Sequence, residues 1–240
     1  MSAKGVADSR AKAHAIHEKL VQVYGHPTWR PHLDAISEVV STILSQNTND
    51  GNRDLAFNRL RAAFPTWEMV RDAPVEEIAA AIRPAGLAPQ KAPRIKQALQ
   101  FITAQCGALN LDFLKDVPVQ EAKEWLMQIK GIGPKTAAIV LLFALGRPAF
   151  PVDTHIYRVT RRLGLVDAHI SVEKAHEALE ALLDPEMYYP FHLNVIRHGR
   201  EICQARNPRC SICVLQNWCD YYNAQMTAAQ SASPVPSTSD

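Results

Sequence analysis

The chain has 240 residues, 47% of them hydrophobic, with 26 basic side chains against 24 acidic ones for a formal net charge of +2. That is enough apolar chain for one large domain or two small ones with a true core, and it excludes a sequence too polar to fold. A net charge this small does not by itself announce a nucleic-acid partner. The arginines are nevertheless grouped, Arg147, Arg158, Arg161 and Arg162 in one region and Arg197, Arg200, Arg206 and Arg209 in another. Local patches matter more to a phosphate backbone than the total does, whereas any one arginine alone reads as part of a solvated helix face.

The residues to about Asp8 are small and polar and are expected to fray. A first helix is predicted from about Ser9 to Tyr24 on Ala15, Ile16, Leu20 and Val23, and His26-Pro27 ends it. A second runs from Leu33 to about Gln46 on Leu33, Ile36, Val40 and Ile43. The next stretch, LSQNTNDGN, collects residues that favour caps and turns, and reads as a connector to a helix over Arg53 to Phe64. Short helices are expected at about Thr66 to Asp72 and Val75 to Ile82, each preceded by a proline. RPAGLAPQK then reads as a loop, with a helix from about Pro93 to Cys106 and a helical turn over Asn110 to Asp116.

Pro118 starts a helix over Val119 to Ile129, the first arm of a hairpin. Gly131 and Gly133 are expected to let the turn adopt positive φ and come close to another molecule, and Pro134 fits the first turn of the second arm. That arm, Pro134 to Leu145, is apolar almost all round, hence buried, and too short for the roughly 20 residues of a bilayer span. Lys135 opposes the macrodipole at the helix start, an odd placement for a structural lysine. Partial desolvation there would favour the neutral, nucleophilic amine, and the turn's amides would accept a phosphate oxygen. The alternative is a surface lysine on an ordinary αα-turn. Asp153, eighteen residues after Lys135, precedes the amphipathic THIYRVTRRLGL and has the position of a helix N-cap, which would also keep a carboxylate ionised.

Further helices read at about Thr154 to Leu163, Val172 to Leu183 and Pro190 to Glu201, and no strand-like alternation or fixed-period repeat appears. Four of the five cysteines then fall within seventeen residues as C-x6-C-x2-C-x5-C: Cys203, Cys210, Cys213 and Cys219. With no leader or membrane span at the start, a reducing cytoplasm is expected, and the thiols read as metal ligands for zinc or an iron-sulfur cluster. Between the first two lies QARNPR, with Arg206 and Arg209. Cys106 stands alone as a core residue, the nine histidines lack ligand spacing, and the stretch beyond Tyr222 has the composition of a disordered tail.

KGIGPKTAAIV, FPVDTHIYRVTRRLGL and the cysteine spacing after HGREIC together resemble the endonuclease III family of helix-hairpin-helix DNA glycosylases, from about Leu33 to Cys219. The resemblance implies an all-α fold in two helical lobes. A helical barrel domain would span about 33–147, and an iron-sulfur domain 1–32 with 148–222, the active site lying in the cleft between them. It implies a 4Fe-4S cluster on the four cysteines, Lys135 as nucleophile and Asp153 as the essential carboxylate. Further DNA contacts are implied at Gly131, Gly133, Arg206 and Arg209, and at Leu87, whose side chain would meet the base left without a partner. The family carries a glutamine wedge where this chain has Asn47, so Gln46 and Asn47 are both candidates. The expected activity is removal of oxidised pyrimidines through a Schiff base with cleavage 3′ of the abasic site. The expected setting is a cytoplasmic monomer, nucleoid-associated if bacterial, acting on double-stranded DNA with damaged bases or abasic sites, with no membrane partner. A monofunctional mismatch or adenine glycosylase of the same superfamily and a non-catalytic DNA-binding module are the alternatives.

Overall fold

Apolar side chains recurring every three or four residues make helices, and the residues described by a computed structural model, 3–231 of the chain, contain twelve α-helices and no strand. In chain order these are α1 (Ala3–Tyr24), α2 (Ala35–Ser45), α3 (Asp50–Ala63), α4 (Trp67–Asp72), α5 (Val75–Ala81) and α6 (Ala88–Cys106). The remaining six are α7 (Val119–Met127), α8 (Pro134–Ile139), α9 (Thr154–Arg162), α10 (Val172–Leu182), α11 (Tyr188–Glu201) and α12 (Asp220–Ser231). The chain divides into two units, one spanning Trp29–Pro151, the other joining the chain up to Thr28 to the chain from Val152.

In the Trp29–Pro151 unit α2 is the central element, because all nine residues from Ile36 to Leu44 are buried. Asp34 caps it, Oδ1 accepting from the Ser37 amide at 2.9 Å and Oδ2 from the Ser37 hydroxyl at 2.5 Å. In the same core lie Ala56 and Leu60 of α3, Trp67 and Val70 of α4, Ile95, Leu99 and Ile102 of α6, and Ala122 and Leu126 of α7. Its buried hydroxyls find partners: Ser37 Oγ accepts from Trp67 Nε1 at 3.2 Å, and Thr42 donates to the Val39 carbonyl at 2.8 Å.

Several boundaries differ from the sequence expectation. The third helix begins at Asp50, not Arg53, because the Asn49 side chain accepts from the Asn52 amide and caps it. The helix expected from Pro93 begins at Ala88, inside the predicted loop. Pro89 fits its first turn, and the helix continues through Pro93 as its apolar face, Ala88, Ala92 and Ile95, is already buried. The hairpin's second arm is α-helical only to Ile139 and then makes a π turn over Val140–Ala144, in which the Leu145 amide reaches back to Val140 O at 3.3 Å. The Leu142 carbonyl accepts from Trp29 Nε1 at 2.7 Å.

In the other unit α1 is helical from Ala3, six residues before the predicted start. Its buried face is Ala13, Ile16 and Leu20, while Val23, expected on that face, is exposed. The stretch expected to be a disordered tail is helical through Ser231, in keeping with its Ala, Gln and Met content and with Asp220 in the first turn, where Lys12 Nζ pairs with it at 2.8 Å. Residues 1–2 and 232–240, part of the expected frayed and disordered ends, lie outside the described residues. Cys106, expected in the core, is half-buried at the end of α6.

Glu38 of α2 is buried, and desolvation raises its carboxyl to about 7, against the opposing pull of Arg53. A carboxyl raised on folding stabilises the fold below its unfolded value near 4.5 and progressively ceases to do so as pH rises towards 7. Thermal melts should therefore show stability declining over that window, and Glu38→Gln should remove the decline. At pH 8 the variant should be the more stable protein, by at most about 3 kcal/mol.

Candidate active site and iron-sulfur loop

The hairpin turn in the Trp29–Pro151 unit lies where the sequence suggests, with two corrections. Gly131 has φ +92° and needs the freedom of glycine, but Gly133 is extended, with φ −103° and ψ −177°. Nor does the surrounding protein require glycine there, since a Cβ would meet nothing within 4 Å. Pro134 opens α8, whose first turn has no side-chain cap. Lys135 is exposed at this helix head, which corrects the partial desolvation expected of it.

The two residues proposed as alternative wedges have different surroundings. Gln46 Nε2 donates to the Gly131 carbonyl at 3.0 Å, and its Oε1 accepts from Arg94 at 3.2 Å, so Gln46 braces the end of α2 against the hairpin turn. Asn47 is exposed and left-handed, with φ +52°. Leu87 is also left-handed, φ +50°, and 46% exposed. Such a backbone is uncommon for asparagine and costly for leucine, and strain of this kind collects where side chains are held out for use.

Sequence reasoning missed Lys91 and Arg94, which anchor these segments. The available signal was a lysine placed among Ala88, Ala92 and Ile95, on the apolar face of α6.

In the other unit Asp153 is the N-cap of α9, Oδ1 accepting from the Ile156 amide at 2.7 Å. It is half-buried, and the cap fixes its orientation. The neighbouring His155 is kept below its ordinary value by burial, with Asp153 pulling the other way.

The same helix supports the cysteine loop. Arg158 donates through Nε to Cys203 O at 3.0 Å and through Nη2 to Gly199 O at 2.9 Å. Arg162 reaches Cys203 Sγ at 3.3 Å, Gln204 O at 2.7 Å and Ala205 O at 3.1 Å. These two arginines, grouped by sequence with a phosphate-facing patch, are spent on protein carbonyls. Arg147 is too, on Lys115 O and on Val117 O at 2.8 Å. Arg206 and Arg209 are exposed on the loop itself.

Cys203, Cys210, Cys213 and Cys219 line one cavity with Pro208, Tyr221 and Tyr222. Among the described residues no three His, Cys, Asp or Glu side chains are placed to hold a single metal ion. Four thiols around one cavity are a donor set that fits an iron-sulfur core. Amide hydrogens point at the sulfurs, Leu215 N at Cys213 Sγ and Tyr222 N at Cys219 Sγ, both 3.4 Å. Burial, with the mutual charge of the other cysteines, pushes Cys213 up to about 11 and raises Cys210 and Cys219. The raised values of these three thiols favour their protonated forms, so holding them as thiolates calls for a cationic group, which an iron-sulfur core supplies.

Comparison with known proteins gives concordant results. The HhH-GPD superfamily of base excision DNA repair proteins matches residues 40–185, and the iron-sulfur binding domain of endonuclease III matches residues 203–219. Endonuclease III of Thermotoga maritima is 33% identical over 79% of this chain and 84% of its own length; that of Sulfolobus acidocaldarius is 34% identical over 79% and 83%. Among solved structures, a non-covalent endonuclease III–DNA complex superposes with a TM-score of 0.78 at 26% identity, covering 91% of this chain and 98% of the other. A trapped endonuclease III–DNA covalent intermediate gives 0.76, also at 26% identity, covering 90% and 98%. The cofactor is accordingly a 4Fe-4S cluster.

The purified protein should be straw-brown and contain iron. Arg162→Met removes three hydrogen bonds from the loop, so its cluster should bleach faster in air than the parent's, followed by visible absorption and iron content. Bleaching at the parental rate would show that Arg162 does not secure the loop.

Proposed function

Because the chain belongs to the HhH-GPD superfamily of base excision DNA repair proteins, in its endonuclease III family, we propose that it is a bifunctional DNA glycosylase and abasic-site lyase acting as a monomer on oxidised pyrimidines. The observation that carries this reading is an exposed lysine, Lys135, heading the second arm of a glycine-turn hairpin in an endonuclease III-family chain. A lysine opposing the helix dipole adds nothing to the fold. The covalent intermediate in which a structural relative was trapped supports a nucleophile of this kind.

In this mechanism the damaged nucleotide leaves the stack, since its sugar cannot be attacked within the duplex. Asn47 fills the space on the damaged strand, Gln46 remaining tied to the hairpin, and Leu87 meets the base left unpaired. Hairpin amides next to Gly131 and Gly133 hold phosphate oxygens, and Arg206 and Arg209 add charge from their loop. The Lys135 amine is the attacking group. Its nitrogen bonds to C1′ as the glycosidic bond breaks and the base departs protonated. Ring opening gives the iminium, and loss of a C2′ proton expels the 3′ phosphate oxygen. Asp153, fixed by its cap, stabilises the developing positive charge on the sugar and assists proton transfer. Cys203, Cys210, Cys213 and Cys219 would hold the cluster, which cross-links the loop carrying Arg206 and Arg209.

Borohydride should trap the protein on duplexes containing thymine glycol or an abasic site. Lys135→Gln should abolish trapping and strand cleavage while DNA binding persists. Asp153→Asn should slow base release by about 10²–10⁴, the range of a positioned acid or base. The reading is falsified if Lys135→Gln traps and cleaves like the parent; base release without trapping would identify a monofunctional enzyme, and binding alone a recognition module.

A further inference from the structure

Lys91 is 1% exposed, among the largest fully buried side chains in the protein. Its ammonium donates to two carbonyls, Leu44 O and Ala85 O, each at 2.8 Å. Burial alone lowers it from its ordinary value, with no carboxylate contributing. An unpaired buried ammonium is a costly way to fill space, and an apolar side chain of the same length would fill it more cheaply. The two acceptors account for its presence.

Leu44 is the last buried residue of α2, so its carbonyl is one of the four that a helix C-terminus leaves without an intrahelical partner. Three residues later comes left-handed Asn47. Ala85 ends a single 3₁₀ turn, Arg83–Ala85, and two residues later comes left-handed Leu87. One cation therefore holds the roots of both strained segments, from a helix whose first turn is anchored by the Gln90 and Lys91 amides on Leu87 O, at 2.9 and 3.0 Å.

We propose that Lys91 is a positioning residue for lesion extrusion: by joining Leu44 O to Ala85 O it presents Asn47 and Leu87 to the duplex as one pre-set pair. This rests on the reading of Asn47 and Leu87 as the residues that replace the extruded nucleotide. Holding both loops in advance saves the ordering cost that two independent loops would pay on binding. A positioned pair is also sensitive to displacements of about 1 Å, which can cost about 10²-fold in rate.

The test is single-turnover cleavage at an abasic site, measured in a duplex and in the same oligonucleotide as a single strand. Extrusion is needed only in the duplex. Lys91→Met keeps the length and burial of the side chain, so the iron content and the single-strand rate should stay parental. The duplex rate should fall about ten- to hundredfold. In the parent, Asn47→Ala and Leu87→Ala should be non-additive on the duplex rate, as coupled sites are, and in the Lys91→Met background they should become additive. Lys91→Gln, which keeps donors for one carbonyl, should fall between the two and replaces Lys91→Met if that variant does not fold. Equal loss on both substrates, or coupling that survives in the variant, overturns the role of Lys91. If Asn47→Ala and Leu87→Ala each leave the duplex rate unchanged, the reading of the loops fails, and with it the proposal. If those two slow the duplex rate and Lys91→Met does not, Lys91 alone is refuted.

Discussion

A helix buried on every side cannot send the amides of its first turn or the carbonyls of its last to water, and α2 is such a helix from Ile36 to Leu44. Each end needs a partner from elsewhere in the chain. At the start Asp34 supplies a carboxylate. At the end Gln46 N takes Ile43 O, Thr48 N takes Ser45 O, the Ser45 hydroxyl takes Thr42 O and Lys91 takes Leu44 O. The demand for satisfaction in a dry core thus fixes the backbone just before Asn47, and through the Gln46 side chain it reaches the Gly131 carbonyl of the hairpin turn. The geometry of the candidate DNA-contacting segments in this unit is a result of the burial of the helix behind them.

The second unit is arranged around α9 in a comparable way. Asp153 starts it, and Arg158 and Arg162, one turn apart on its side, take up the carbonyls of the chain entering the cysteine loop. Behind the loop, His198 of α11 faces Cys213 Sγ through Nε2 at 3.6 Å, and its Nδ1 lies 3.1 Å from the Tyr24 hydroxyl of α1. Burial lowers His198 to about 4, so it stays neutral.

Those features legible in the sequence are the ones set by local rules. Glycine and proline punctuation locates the hairpin, the cap position of Asp153 is readable from its place before an amphipathic run, and the cysteine spacing with its flanks points to the cluster. What stays illegible depends on contacts distant in sequence. Nothing local says that Arg158 and Arg162 turn inward to Cys203 and Gln204, forty or so residues away, so by sequence they group with a phosphate-facing patch. Lys91 is marked in the sequence only by its place among Ala88, Ala92 and Ile95, and its two acceptors, Leu44 O and Ala85 O, are set by the fold. Pro93 reads as the start of a helix, yet the helix begins at Ala88 and runs through it, because burial of Ala88, Ala92 and Ile95 outweighs one missing backbone bond. Gln46 and Asn47, adjacent and chemically alike, are separated only by φ and by the reach of the Gln46 side chain to Gly131.

The π turn in the hairpin's second arm has a consequence for the length of the chain. A π turn holds one residue more than the α turn it replaces, so the chain beyond it is rotated by about 100° relative to a regular helix. Trp29 depends on that phase, since its indole bonds to Leu142 O and its ring lies against Gly146, where an added Cβ would come within 3.1 Å. Most surface connections absorb the gain or loss of a residue, but between Val140 and Gly146 the count itself is structural. Deleting one residue there would give a more regular helix and a worse protein, with an indole N–H lacking its acceptor and the ring facing a side chain in place of glycine.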